Sequence, residues 1–184
     1  MDKWFPQLKQ TQSKDARLRL VTFPNSGSAE NVYTGADKTA FGGEKGRRDN
    51  ALMQWAKATN VEVWAAQPPG RDTRMREECL PSAKAIAAAA FEVAENGLFK
   101  GKVPWAIFAH SMGTWVSYEF ILLARSKGYP APTIFVASGF PSPSCPTDKR
   151  PWAVSAGMDD EAFKEEARGW SINEVVFSPG MWKM

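Results

Sequence analysis

The sequence has 184 residues, a net charge of +3 and a hydrophobic content of 43%, which suits one buried core and one domain. It carries no basic stripe for nucleic acid. Its longest apolar runs, residues 85–91 and 103–109, are far shorter than the roughly 20 residues of a membrane-spanning helix. The N-terminus lacks the apolar core of a signal peptide. We therefore expect a cytoplasmic monomer that binds no nucleic acid and spans no membrane.

The residue types give no support for a metal or cofactor site. Cys79 and Cys145 are far apart and the chain has one histidine, so a tetrahedral metal site cannot be assembled. The glycine-rich segment 42–46 has neither the spacing of a phosphate-binding loop nor a strong strand before it. We predict two free thiols, no metal and no cofactor.

Strand patterns alternate with helix patterns along the chain. In chain order, the periodicity predicts a strand at 18–23, a helix at 50–58, a strand at 61–66, a helix at 82–95, a strand at 105–109, a helix at 113–127, a strand at 133–137 and a short charged helix at 159–168. The third and fourth strands are apolar throughout, which is typical of central parallel strands covered on both faces. This alternation predicts a mostly parallel sheet with helices on both faces.

Local signals mark several element boundaries. Pro81 stands at the start of the helix at 82–95, where its missing N–H carries no penalty. Asn96-Gly97 predicts a left-handed end for that helix. Alanine on nearly every face of the helix predicts close packing against the sheet. Beyond Gly139, three prolines break the alternation.

The strongest motif is the segment 108–113, Phe-Ala-His-Ser-Met-Gly, which lies where a buried strand meets a helix. A nucleophile elbow has this setting, and its sharp turn requires small flanking residues, here Ala109 and Gly113. We predict that Ser111 is a nucleophile at the carboxyl end of the sheet. The Met112 amide would then face the developing oxyanion. The alternative is a serine that caps an ordinary strand-to-helix turn.

Two turns that follow predicted strands add to this motif. The segment 23–28, Phe-Pro-Asn-Ser-Gly-Ser, could offer a second N–H to an oxyanion. We assign that donor to the Ser26 amide, with plain turn chemistry as the alternative. The segment 67–71, Gln-Pro-Pro-Gly-Arg, by itself shows only that a strand has ended.

Together these segments, in this order, resemble the type II thioesterases of polyketide, nonribosomal-peptide and fatty-acid synthesis. The matching residues are Phe23-Pro24, Pro69-Gly70-Arg71 and His110-Ser111-Met112-Gly113, with the strand that ends at Ser138-Gly139. The chain departs from the family where Asn25 and Ser26 replace Tyr-Ala, where Pro68 replaces Leu, and where Ala109 replaces Gly. The resemblance covers roughly residues 17–184 and leaves residues 1–16 as an N-terminal extension.

The resemblance implies an α/β-hydrolase fold and an enzyme that hydrolyses acyl thioesters through a serine acyl-enzyme. Ser111 would take the acyl group from an acyl carrier protein, and the Ser26 and Met112 amides would hold the oxyanion. Residues from about 146 to 184 would begin a helical lid over the acyl channel. The resemblance implies no cofactor.

The histidine base and acid of a serine hydrolase triad have no candidates in this sequence. The one histidine, His110, directly precedes Ser111 on so tight a turn that its side chain points away from the hydroxyl. The resembling family places both groups after the lid, and Asp148, Asp159 and Asp160 do not fit the acid. We expect a truncated fold that is incomplete at its C-terminal side. Without the base and the acid, its rate of hydrolysis should fall by a factor on the order of 10⁴ to 10⁶.

Two other function classes remain open. Another serine esterase or acyltransferase on the same scaffold would share the elbow, and its turnover of oxygen esters against carrier-protein thioesters would distinguish it. A non-catalytic binding module would keep the scaffold and pocket without the chemistry. If the chain is complete, the absent base favours that reading, and labelling of Ser111 by a fluorophosphonate would exclude it.

Overall fold

A four-stranded parallel sheet forms the centre of the first of two compact units, which spans Met1–Phe140. Its strands are β1 (Leu18–Phe23), β2 (Val61–Ala65), β3 (Trp105–His110) and β4 (Ile134–Ser138), in the spatial order β2-β1-β3-β4. This computed structural model describes residues 3–35, 49–155, 157–170 and 174–178. The predicted parallel sheet is confirmed.

Helices cover both faces of the sheet, as the alternation predicts. The four helices of this unit within the described residues are α1 (Asn31–Thr34), α2 (Ala51–Thr59), α3 (Ala83–Leu98) and α4 (Met112–Ser126). On one face, side chains from β1 and β3 pack with Phe91 of α3 and Phe120 of α4. On the other face, Val63 and its neighbours pack with Tyr33 and Met53 of the first two helices. The glycine-rich segment 42–46 lies outside the described residues.

The order of the strands places the loop after β1 beside the loop after β3, at the carboxyl end of the sheet. The chain leaves β1 to form β2 on one side, and then crosses back to form β3 on the other side of β1. The carboxyl ends of β1 and β3 are therefore neighbours, and the register places Phe23 opposite Ala109. In open α/β sheets this reversal of direction opens a crevice where ligands bind.

The predicted end of α3 at Asn96-Gly97 is wrong. The helix continues through both residues to Leu98, and the glycine that follows it in the left-handed region is Gly101, with φ 73°. A Cβ on Gly97 would lie 2.6 Å from Cη2 of Trp64, so the glycine serves a close approach to the sheet instead of a turn. The helix begins at Ala83, where the Ser82 hydroxyl accepts the Ala85 N–H at 3.1 Å. Pro81 thus lies one residue before the cap.

The expectation that β4 is covered on both faces is also wrong. Ile134, Phe135 and Val136 are 60%, 38% and 43% exposed. Among the described residues β4 pairs with β3 alone, so it forms an edge of the sheet. An apolar run signals a buried strand only when neighbours exist on both sides.

The segment before β1 packs into the core on the opposite edge. Trp4, Phe5 and Leu8 are buried in the same cluster as α3. The Trp4 carbonyl accepts the Gln67 N–H at 2.8 Å, and the Thr11 hydroxyl accepts the Val63 N–H at 2.8 Å. These contacts satisfy backbone donors that follow or belong to the edge strand β2.

The second compact unit spans Pro141–Met184 and contains α5 (Asp160–Arg168). Asp159 caps this helix by accepting the Ala162 N–H at 2.8 Å. The Glu166 carboxylate accepts from the Ala153 amide and the Trp170 indole, and these bonds hold its pKa below the usual range. Nowhere in the described parts of either unit is a helix both long and apolar enough to cross a bilayer. The predicted lid role of this region stays a prediction.

Candidate active site

Ser111 lies in the turn between β3 and α4 with a backbone that non-glycine residues rarely adopt. Its φ is 52° and its ψ is −129°. Such a conformation costs of order 1–3 kcal/mol and persists only where the surroundings enforce it. Although Ser111 occupies the cap position of α4, its side chain makes no capping hydrogen bond to the described helix. This geometry does not match an ordinary serine cap, and its positive φ fits the sharp turn of a nucleophile elbow. The role of Ser111 as a nucleophile stays a prediction.

Three hydrogen bonds hold the Ser111 backbone in this conformation. Its N–H donates to the Ser138 carbonyl at the end of β4, at 2.8 Å. Its carbonyl accepts from both the N–H and the hydroxyl of Thr114, each at 2.8 Å. The turn is therefore fixed from the sheet on one side and from the first turn of α4 on the other.

Gly113 allows α4 to start directly against the end of β1. A Cβ at this position would overlap the Phe23 carbonyl oxygen and lie 2.8 Å from both the Phe23 carbonyl carbon and the Pro24 oxygen. These are backbone atoms that cannot rotate away. On the other side of Ser111, Ala109 is fully buried and pairs with Phe23 and Ala137. The structure thus brings the small elbow residues together as the sequence pattern requires.

The His110 side chain is directed toward the end of β4. Its Nδ1 lies 3.1 Å from the Ser138 hydroxyl. A Cβ on Gly139, whose φ is 66°, would lie only 2.7 Å from Cε1 of the imidazole. The ring therefore lies against the Gly139 backbone and is engaged with a partner other than Ser111.

The two predicted oxyanion donors lie on the neighbouring ends of β1 and β3. Met112 is the first residue of α4, so its amide has no partner within the helix and stands at the positive end of the helix dipole. Ser26 lies in the turn after β1, where Gly27 has φ 77° and the Ser28 N–H donates to the Asn25 carbonyl at 3.3 Å. The oxyanion role of both amides stays a prediction.

Arg71 contacts the turn that contains Ser26, and the sequence motif gave no sign of this. Its Nη1 donates to the carbonyls of Asn25 and Ser28, at 2.8 and 3.0 Å. Its Nη2 lies 3.8 Å from the sulfur of Met112. Burial lowers the pKa of Arg71, and the nearby Cys79 sulfur partly opposes this shift.

Tyr33 is a second residue that the sequence analysis missed. Its hydroxyl donates to the Phe23 carbonyl at 2.9 Å, beside the point where α4 meets β1. Burial raises the pKa of Tyr33 to about 12, while a hydrogen bond with the His110 backbone acts in the opposite direction. The contact depends on the packing of α1, so no local signal could have revealed it.

In the described part of the chain, no three His, Cys, Asp or Glu side chains come together. Cys79 and Cys145 are both free thiols.

Comparison with known proteins places these features in context. No protein-family model matches the chain. It is 26% identical over 170 residues to the gramicidin S biosynthesis protein GrsT of Aneurinibacillus migulanus, an alignment that covers 91% of this chain and 56% of GrsT. It is 30% identical over 118 residues to the thioesterase PikA5 of Streptomyces venezuelae, covering 64% of this chain and 40% of PikA5. The RedJ thioesterase of the prodiginine pathway of Streptomyces coelicolor matches with a TM-score of 0.62 at 26% identity, covering 90% of this chain and 53% of RedJ.

This chain is similar to the type II thioesterases of nonribosomal-peptide and polyketide pathways. The resemblance that the sequence motifs indicate is confirmed, and so is the α/β-hydrolase architecture. The type II thioesterase YbtT of the yersiniabactin pathway shares the fold at 21% identity and a TM-score of 0.59. The chain spans about half the length of these proteins, 56% of GrsT and 53% of RedJ.

The three segments that resemble the thioesterase motifs meet at the carboxyl ends of β1 and β3. The turn after Phe23-Pro24 is bound by Arg71 of the Pro-Gly-Arg motif, and Arg71 in turn reaches Met112 of the elbow. Segments separated by about 40 residues in the chain thus form one continuous cluster around the start of α4.

Proposed function

We propose that this chain carries the nucleophile and the oxyanion donors of a serine thioesterase that acts on acyl groups bound to carrier proteins. The observation that carries the proposal is the strained Ser111 backbone, which hydrogen bonds to Ser138 and Thr114 hold in place. Ser111 follows β3, beside the end of β1, where the order of the strands reverses. The similarity to the thioesterases PikA5 and RedJ supports a thioester as the substrate.

The chemistry assigned to the site is acyl transfer in two steps. The Ser111 oxygen attacks the thioester carbonyl carbon, and the carbonyl oxygen becomes an oxyanion that the Ser26 and Met112 amides stabilise. The carbon–sulfur bond then breaks, and the thiolate leaves with the proton that the serine has lost. Water hydrolyses the resulting ester by the same path, releasing the acid and restoring the hydroxyl.

The proposal assigns no general base within the 184 residues. The one histidine, His110, has its Nδ1 3.1 Å from the Ser138 hydroxyl and its ring against Gly139, and the proposal gives it no role as the base for Ser111. Without a base and its orienting acid, serine hydrolases lose a factor on the order of 10⁴ to 10⁶ in rate. The chain by itself should therefore acylate slowly, and an added small base should accelerate it. Residues from about 146 onward are proposed as the lid.

A non-catalytic acyl-binding module is the second candidate, and the same single histidine favours it. Such a module would keep the turn at Ser111 as an inherited backbone feature. It would bind acyl thioesters without forming an ester at the serine.

Labelling with an aryl fluorophosphonate separates the two candidates. The chain is incubated with the probe with and without imidazole as an external base, and the adduct is located by peptide mass spectrometry. We expect labelling at Ser111 that imidazole accelerates and that S111A abolishes. S126A is the matched control, because Ser126 is an exposed serine of the same helix whose hydroxyl bonds to Leu123.

The outcome decides between an enzyme and a binding module. Labelling of S126A at the rate of the parent chain, with none in S111A, supports the thioesterase proposal. Absence of labelling at Ser111 in the presence of imidazole supports the binding module. Faster acylation by an oxygen ester than by an equally activated thioester would favour an esterase.

A further inference from the structure

The Arg71 guanidinium binds the backbone on both sides of Ser26. Its Nη1 donates to the carbonyl of Asn25, the residue before Ser26, and to the carbonyl of Ser28, two residues after it. We propose that Arg71 is a positioning residue that fixes this turn beside the elbow, so that the Ser26 and Met112 amides face one point. This inference rests on the proposed function and names a residue through which that site is assembled.

The geometry of the contacts explains why an arginine suits this position. Two carbonyls held by one planar group fix the peptide planes between them, because neither can rotate without breaking a charge-assisted hydrogen bond. Gly27, with φ 77°, lies inside this segment and would otherwise allow the turn several conformations. The third contact, from Nη2 to the Met112 sulfur, joins the same group to the first residue of α4.

Arg71 is itself held in place by its own loop. The Gln67 side chain donates to the Arg71 carbonyl at 2.6 Å and accepts the Glu30 N–H at 3.2 Å. Gln67 is almost fully buried, so this link is protected from water. Arg71 and the segment 25–30 are therefore joined twice, through Gln67 at Glu30 and through the guanidinium at Asn25 and Ser28.

The neighbouring Arg74 provides a matched comparison within the same loop. Its Nη1 donates to the Gln67 carbonyl at 2.8 Å, its Nη2 pairs with Glu77 at 2.6 Å, and its guanidinium lies 4.9 Å from the centre of the Trp4 ring. Arg74 is thus also a partly buried arginine bound to a carbonyl, and none of these contacts reaches the Ser26 turn. Removing it should disturb the loop without freeing the turn.

The test compares R71M, R71K and R74M with the parent chain by two readouts. Amide ¹⁵N order parameters of residues 25–28 report the mobility of the turn without any need for catalysis. Fluorophosphonate labelling of Ser111 with imidazole reports the oxyanion site. Removing a whole oxyanion donor lowers the reaction rate roughly 100- to 1,000-fold. Loosening a donor without removing it should therefore lower the labelling rate by about 10-fold or more.

We expect R71M to lower the order parameters of residues 25–28 from about 0.85 toward 0.6 and to slow labelling by about 10-fold or more. R71K should recover part of both values, since an ammonium can reach one carbonyl. R74M should leave both unchanged. If R71M does not fold, R71K carries the test, and its expected result is a loss of order and rate between the two extremes.

Two results would overturn the inference. One is an unchanged turn in R71M or R71K. The other is a mobile turn with a labelling rate equal to that of the parent. If the parent chain is never labelled at Ser111, the proposed function fails on that ground, and the order parameters alone then decide whether Arg71 fixes the turn.

Discussion

Replacing Gly113 with alanine tests whether α4 starts against the end of β1. The substitution adds one methyl group at the second residue of the helix. In an open helix, alanine would stabilise the protein by about 1 kcal/mol relative to glycine. Here the new Cβ would lie 2.8 Å from the Phe23 carbonyl carbon and from the Pro24 oxygen.

The magnitude of the effect follows from this overlap. Carbon atoms reach a favourable separation at about 3.5 Å, so the helix start must move by at least roughly 0.7 Å from the end of β1. Inserting a methyl group into a packed site costs about 1–3 kcal/mol. The overlapped atoms belong to the backbone and cannot rotate away, so the upper end of this range applies. After the helix preference of alanine is subtracted, G113A should lose about 2 kcal/mol. For a chain of this size, each kcal/mol lowers Tm by about 2–4 °C.

The assay combines thermal unfolding with fluorophosphonate labelling of Ser111. We expect a lower Tm together with slower labelling, because a shifted helix start displaces both Ser111 and the Met112 amide. G97A is the control, since the same change in α3 meets the indole of Trp64. The neighbouring Leu98 carbonyl accepts from Arg19, which lies at the start of β1 and not at the end near Ser111. G97A should leave labelling unchanged. A G113A chain that keeps the Tm and labelling rate of the parent would refute the close approach.

Two further predictions concern buried groups. Arg19 and Glu62 form a buried ion pair at 2.9 Å between β1 and β2, so R19M should cost about 3–5 kcal/mol in urea unfolding by leaving Glu62 unpaired. The double variant R19M/E62L should recover most of that loss, and a loss below 1 kcal/mol in R19M would count against the pair. Tyr33 has a pKa of about 12 in the folded state, above about 10 when unfolded, so its stabilising contribution is present below pH 10 and is lost as pH rises from 10 to 12. Between about pH 8 and pH 11 the free energy of unfolding should fall more for the parent than for Y33F. An equal fall in both proteins would contradict the assignment.

The elements near the site could be predicted from local patterns. The run 105–109 and the small residues around Ser111 indicate a strand, a sharp turn and a helix, and the structure has β3 and α4 there. These signals are local because a sharp turn constrains its own neighbours in the chain. The same logic correctly placed the turn after Phe23.

The features that could not be predicted depend on contacts distant in the chain. The end of α3 was misplaced because Gly97 serves its contact with Trp64, a residue of β2. The exposure of β4 depends on its place in the sheet, which an apolar run does not encode. The contacts of Arg71 with Asn25 and Ser28 reach across more than 40 residues, so the Pro-Gly-Arg motif could be recognised without its purpose being visible.

Direct transfer of an acyl group to Ser111 tests the central claim. The chain is incubated with an acyl carrier protein bearing an acyl thioester, in the presence of imidazole, and the modified peptide is sequenced by mass spectrometry. The account predicts an acyl ester on Ser111 that is absent from S111A and slower to form in R71M. An acyl group found on another residue, or gained equally by S111A, would contradict it.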